Sequence, residues 1–119
     1  NLLMMIKYIL ISVLISLSTM DQNSNAKANF RVDGVCGMCK ERIENSTIKL
    51  KGVKFSKWNI STNKISLIYN EKKIKLNDIH KFIAELGHDT EKVIATDNAY
   101  NSLDPCCKYR DPNVVKNHQ

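Results

Sequence analysis

The chain of 119 residues lacks any apolar run long enough to span a bilayer. Its longest, Tyr8 to Leu17, is about ten residues, where a membrane helix needs roughly 20. It is also short of proline: Pro105 and Pro112 both lie near the C-terminal end, so a thioredoxin-like domain would have no candidate for its cis-proline. No Ser-His-Asp set, phosphate-binding loop or pair of neighbouring carboxylates is present, which argues against hydrolysis and phosphoryl transfer. The 18 basic residues against 12 acids give a net charge of +6, but they are dispersed rather than gathered into a run, so no nucleic-acid tail is indicated. Four cysteines are too few for a dense disulfide scaffold, and the absence of internal repeats and low-complexity linkers leaves one small domain.

What is there begins with an address label. Lys7 precedes the apolar run, Asp21 to Asn25 turn polar, and Ala26-Lys27-Ala28 offers the small-x-small pattern that a signal peptidase accepts. We therefore expect residues 1–28 to be a signal peptide, cleaved after Ala28, and no membrane span to remain. Loss of Lys7, Lys27 and Asp21 with that segment takes the net charge from +6 to +5. All four cysteines stay in the exported part, where an oxidising compartment, expected to be the periplasm, demands that the thiols pair or be occupied.

Along the rest of the chain, Phe30 and Val32 alternate with polar neighbours as in a half-buried strand, stopped by Gly34. Met38 to Leu50 reads as a helix with Cys39, Ile43 and Leu50 near one face, closed by Lys51-Gly52. Val53–Ile60 and Lys64–Tyr69 form a hairpin around Ser61-Thr62-Asn63. A second helix is signalled by Asn77 and Asp78 and by Ile79, Phe82, Ile83 and Leu86, with Gly87 as its stop. A last strand over Asp89–Ala95 would complete a βαββαβ order, an α+β ferredoxin-like sandwich with an antiparallel sheet and two helices on one face. Residues 29–95 form this domain, and 96–119 follow as a polar tail in which Tyr100, Leu103 and Tyr109 give some apolar material for docking.

The chemistry concentrates where the first strand meets the first helix, in Gly34-Val35-Cys36-Gly37-Met38-Cys39. A thiol at a helix N-terminus ionises more readily, because unpaired N–H groups and the positive end of the helix dipole favour the thiolate. Two thiolates three residues apart on a turn converge on one soft ion such as Cu(I), Ag(I), Hg(II) or Zn(II), and select against calcium and magnesium. The same pair in the same setting also serves thiol–disulfide exchange.

The residues around the pair decide between these. Val32-Asp33-Gly34, the Cys-x-x-Cys, Ile43-Glu44, Leu50-Lys51-Gly52-Val53, Trp58-Asn59-Ile60, Thr62-Asn63-Lys64 and Glu85-Leu86-Gly87 follow one another as in the heavy-metal-associated domain. The sequence resembles that family over about residues 29–95. The family includes copper chaperones, N-terminal modules of copper-transporting ATPases and periplasmic mercury-binding proteins. The resemblance implies a ferredoxin-like fold with Cys36 and Cys39 as ligands of a soft ion, and a metal-donating or metal-accepting partner such as a metal-transporting ATPase or efflux system.

One departure stands out: the usual loop reads Gly-Met-x-Cys-x-x-Cys, whereas here it is one residue shorter and the methionine has moved inside the pair as Met38. We expect Met38 to pack as a displaced loop anchor, with a third soft ligand as the alternative. His88, after Gly87, falls on the loop expected beside the cysteines, as a surface residue, a further donor, or a positive charge that stabilises thiolates as pH falls. His80 and His118 are expected in solvent, as are the lysines Lys49, Lys51, Lys54, Lys57, Lys72, Lys73 and Lys75. Cys106 and Cys107 are adjacent and ill-suited to bridge each other. They read as a second or handoff soft-metal site, as disulfide partners of the domain or of another chain, or as thiols without a role. The expectation overall is a non-enzymatic exported carrier of a soft ion, Cu(I) first. A thiol–disulfide oxidoreductase using the same Cys-x-x-Cys is the alternative.

Overall fold

The computed structural model describes residues 1–15 and 24–119. Its first element, α1 (Leu2–Ile15), is mostly apolar in sequence, with Leu2, Leu3, Met4, Met5, Tyr8, Ile9 and Leu10 exposed. Among the described residues no helix is long and apolar enough to cross a membrane. The expected apolar run to Leu17 and the polar residues Asp21–Asn23 continue outside the described residues.

The domain proper is built on three antiparallel strands, β1 (Asn25–Arg31), β2 (Val53–Asn59) and β3 (Lys64–Asn70), in the order β1-β3-β2. Alternation sets its inner face. Ala26, Ala28 and Phe30 pair with Tyr69, Leu67 and Ile65, and on the other side of β3 Trp58 pairs with Ile65 and Val53 with Tyr69. A register shift between Val53 and Phe55 turns Phe55 outward. The hairpin turns on Asn63, whose φ of 56° a short polar side chain tolerates, while Asn59 Oδ1 accepts from the N–H groups of Ser61 and Thr62.

Two helices cover the inner face: α2 (Gly37–Thr47), through Cys39, Ile43 and Thr47, and α3 (Leu76–Glu85), through Ile79, His80, Ile83 and Ala84. Polar ties fix α2 to β2. Glu44 Oε2 accepts the Trp58 N–H (2.8 Å), Lys40 bridges Glu44 and the Trp58 carbonyl, and the Thr47 and Ser56 hydroxyls meet at 2.6 Å. The fully buried indole of Trp58 donates from Nε1 to the Val32 carbonyl (2.9 Å), which ties the sheet to the loop before α2. The α+β, ferredoxin-like expectation is met in these elements.

Strand β1 begins at Asn25, so Ala26-Lys27-Ala28 lie inside the sheet, paired with Tyr69, Ile68 and Leu67. Three expectations are corrected. The expected strand Asp89–Ala95 reduces to a single bridge between Val32 and Thr90. There the Thr90 hydroxyl accepts from the N–H groups of Lys92 and Val93, the Thr90 N–H donates to the Val93 carbonyl, and the chain curls, leaving Ile94 76% exposed. His80 is buried rather than solvated, with Nδ1 2.7 Å from the Thr90 hydroxyl and its ring stacked on Phe30. Finally, the segment read as a polar tail is folded into α4 (Asp97–Asn101), a 3₁₀ turn (Pro105–Cys107) and α5 (Pro112–Asn117), and it places Leu103 and Cys107 in the core. His118 and the seven lysines are exposed, as expected.

Gly87 makes this docking possible. It ends α3 at a φ of +108°, and a Cβ there would lie 2.8 Å from the Ala99 carbonyl and 2.9 Å from Leu103.

Candidate metal centre

Cys36 is the residue that caps α2, with extended backbone (φ −139°, ψ 172°), so its side chain projects from the helix start beside the N–H groups of the first turn. Cys39, one turn on, faces the core and is fully buried. The two sulfurs are 3.4 Å apart. The loop before them is held against the sheet, since a Cβ on Gly34 would come within 3.0 Å of the Trp58 ring and 3.1 Å of Cys39 Cβ.

The 3₁₀ turn brings the other two cysteines to the same place. Cys107 Sγ lies 3.2 Å from Cys36 Sγ, and Cys106 Sγ lies 4.0 Å from both. The sulfurs of Cys36, Cys106 and Cys107 all fall within 4.8 Å of one another. All four cysteines are free thiols in this structure. Cys107 is fully buried and Cys106 half-buried.

Electrostatics single out Cys36. Burial pushes its thiol up, but the Cys39 N–H and the thiols of Cys107, Cys39 and Cys106 donate to the thiolate, and the net shift is downward. Cys39 is pushed up by burial, and so is Cys107, further raised by the sulfurs beside it. The cluster therefore shares a first negative charge centred on Cys36 and resists a second until something compensates it.

Arg42 lies in that position, and sequence reasoning missed it. Its Nη1 donates to Cys107 Sγ (3.5 Å) and to His88 Nε2 (3.4 Å), and its Nη2 forms an ion pair with Asp104 (3.1 Å). The signal available was its spacing, three residues beyond Cys39 and so on the same face of α2.

His88 is fully buried and stacked on Tyr109, with Nδ1 donating to the Asp33 carbonyl (2.8 Å) and Nε2 accepting from Arg42. Burial pushes its pKa down to about 4. The expectation that it supplies positive charge is thereby corrected, because the neutral ring is what fits. Both ring nitrogens are engaged, so His88 is no sulfur-site donor in this arrangement. Met38 also departs from expectation. It is 48% exposed rather than packed, on the outer side of the first turn of α2, with its sulfur 3.4 Å from Cys106 Sγ.

The tail is anchored by more than its cysteines. The Tyr109 hydroxyl donates to the Gly87 carbonyl (2.7 Å) and accepts the Asp89 N–H (2.9 Å). Arg110 grips the Asp89 carboxylate with two nitrogens, donates to the Ala95 carbonyl and lies over the Tyr100 ring. Three mutually close sulfurs, those of Cys36, Cys106 and Cys107, thus gather at the start of α2 with Cys39 beside Cys36 and one guanidinium, a set suited to a thiophilic cation.

Comparison with known proteins agrees with this geometry. A heavy-metal-associated domain is matched over residues 29–89. The copper chaperone CopZ of Staphylococcus epidermidis is 29% identical over 62 residues, covering 51% of this chain and 91% of that protein. The N-terminal domain of a potential copper-translocating P-type ATPase from Bacillus subtilis, solved in its Cu(I)-loaded state, is 28% identical with a TM-score of 0.53, covering 56% of this chain and 84% of that one. Oxidized MerP from Ralstonia metallidurans CH34 shares the fold at 18% identity, with a TM-score of 0.54 over 56% of this chain and 94% of that one.

Proposed function

The chain belongs to the heavy-metal-associated domain family, and from that premise we propose that it is an exported carrier that holds a soft metal ion, Cu(I) first, between Cys36 and Cys39. One observation carries this reading: two cysteine sulfurs 3.4 Å apart at the start of α2, one of them with its thiol shifted toward the thiolate. Hg(II), Ag(I) and Zn(II) satisfy the same donors, and the copper-related names of similar proteins put Cu(I) first. The ion is cargo. An acceptor's thiolate adds to it, the ion passes through a state shared by both proteins, and Cys36 or Cys39 departs and takes up a proton. The acceptor that fits is a soft-metal site on a metal-transporting ATPase or efflux system, in line with the likeness to the B. subtilis ATPase domain.

Export rests on Lys7 and the apolar run after it, and the periplasm is the expected destination. Processing that leaves the sheet whole would cut before Asn25, since β1 uses Ala26 and Ala28 against Tyr69 and Leu67.

The test is an anaerobic titration of the reduced chain with Cu(I) against a chromophoric chelator. Tight retention of Cu(I) that is lost in Cys36→Ser/Cys39→Ser, with the far-UV spectrum unchanged, is the expected result. Tight binding retained by that double variant would overturn the assignment.

A further inference from the structure

We propose that the C-terminal segment completes the metal site: Cys107 and Cys106 join Cys36 and Cys39, so the ion is enclosed by more than two sulfurs and leaves only when tail ligands are displaced. This rests on the carrier reading above and extends it to a segment that the family match, ending at residue 89, does not cover.

The spacing of the sulfurs is the first support. Around a single four-coordinate ion with metal–sulfur bonds of about 2.3 Å, neighbouring sulfurs sit about 3.8 Å apart. From Cys36 the other three lie at 3.4, 3.2 and 4.0 Å, and Cys106 and Cys107 are 4.0 Å apart. These values bracket the required distance, with Cys36 as the common vertex; Cys36, Cys106 and Cys107 are mutually within 4.8 Å, and Cys39 joins that group through its 3.4 Å contact with Cys36. Adjacent cysteines usually point apart or strain against each other. Here the 3₁₀ turn, opened by Pro105 and closed by the Cys107 N–H donating to the Asp104 carbonyl (2.8 Å), aims both at Cys36.

The second support is that the arrangement is built rather than incidental. Cys107 is fully buried among core residues. The turn is clamped on one side by the Arg42–Asp104 ion pair and on the other by Tyr109 and Arg110 on Gly87 and Asp89. The third is charge. Several thiolates around a cation of charge one or two leave net negative charge, and the Arg42 guanidinium lies 3.5 Å from Cys107 Sγ to offset it.

Position within the cluster assigns an order of exchange. Cys39 and Cys107 are sealed in the core, whereas Cys106 is half-buried beside the exposed thioether of Met38. An incoming thiolate meets the ion at Cys106 first. Loading replaces each thiol proton by a metal–sulfur bond and releases that proton to solvent, and unloading reverses the exchange without any redox step.

The experiment uses the reduced full chain, with and without one equivalent of Cu(I). Two readouts are taken: the number of sulfur neighbours by X-ray absorption, and the rate at which iodoacetamide alkylates Cys106. We expect more than two sulfur neighbours, falling to two in Cys106→Ser/Cys107→Ser. We also expect alkylation of Cys106 to slow about tenfold when about nine sites in ten are loaded. The alkylation readout needs no substitution, so it stands even where loss of buried Cys107 unfolds the tail. Two sulfur neighbours in the unaltered chain, with Cys106 alkylated equally fast at full loading, would overturn tail ligation while leaving the Cys36–Cys39 carrier intact. Failure to compete with the chelator at all would remove the carrier reading, and this inference with it.

Discussion

Protonating His88 should unfold the apo domain more than any surface charge could. The ring is fully buried and its pKa is lowered to about 4 from 6.5. A histidine whose folded pKa is depressed contributes stability that is complete above its unfolded pKa and is lost as pH falls toward the folded one. Between pH 6.5 and 4 the unfolded chain binds the extra proton, so stability must rise with pH across that window. A shift of that size corresponds to about 3 kcal/mol in full, of which about 2 kcal/mol is gone by pH 5. For a domain of this size that moves the urea midpoint by about 1 M. The assay is urea unfolding of the reduced apo chain in steps from pH 7.5 to 4.5, followed by the fluorescence of Trp58, the chain's single tryptophan and a buried one. His80, also lowered by burial, adds to the same trend, as does the lowered carboxyl of Asp89 in its own range, whereas Asp33, raised by burial, acts in the opposite direction. The comparison is therefore with His88→Gln, which keeps a donor and an acceptor but cannot titrate and retains those other groups. The difference between the two profiles should flatten above pH 7 and widen below pH 6.5. Parallel profiles across the whole range would refute the reasoning, because they would mean that His88 titrates alike in both states.

Two further substitutions probe the supports of the site. Gly87→Ala combines a left-handed backbone with a Cβ 2.8 Å from the Ala99 carbonyl, and should destabilise by about 1–3 kcal/mol in urea titrations while making Cys107 reactive toward maleimide. An unchanged midpoint would mean that α4 shifts freely. Ile43→Ala, at a fully buried position one turn beyond Cys39, should lower stability by about 2–5 kcal/mol; a loss below about 1 kcal/mol would contradict the close packing of α2 on the sheet.

The sequence was legible wherever short-range period or turn chemistry decides the structure. Helix α2, the hairpin around Asn63 and the end of α3 at Gly87 follow from spacing and from the few residues that accept unusual backbone. The expected last strand failed because β-forming composition at Val93 and Ile94 was outweighed by the Thr90 hydroxyl, which captures two backbone N–H groups and bends the chain. Burial of His80 was illegible for a related reason. Its partners, Thr90 and Phe30, come from distant parts of the chain, and nothing local distinguishes a histidine with such partners from one in water. The soft-ligand character of Cys106 and Cys107 was readable from residue type, but their destination depends on Tyr109 and Arg110 finding Gly87 and Asp89, contacts about 20 residues apart.

These non-local contacts also change where the positive charge at the site comes from. Sequence position suggested a titrating histidine, which would gain charge only as pH falls, when the thiolates themselves are being protonated. The structure instead makes His88 a neutral link. Its Nδ1 donates to the carbonyl of Asp33, immediately before Gly34 of the metal loop, and its Nε2 lone pair receives Arg42. A protonated ring would present an N–H to that guanidinium, so the burial that keeps His88 neutral also keeps Arg42 in place. Arg42 in turn holds Asp104 and reaches Cys107, and its charge persists across the physiological pH range. A fixed cation of this kind favours the thiolate at neutral pH and couples the loop of Cys36 to the docking of the tail through one side chain.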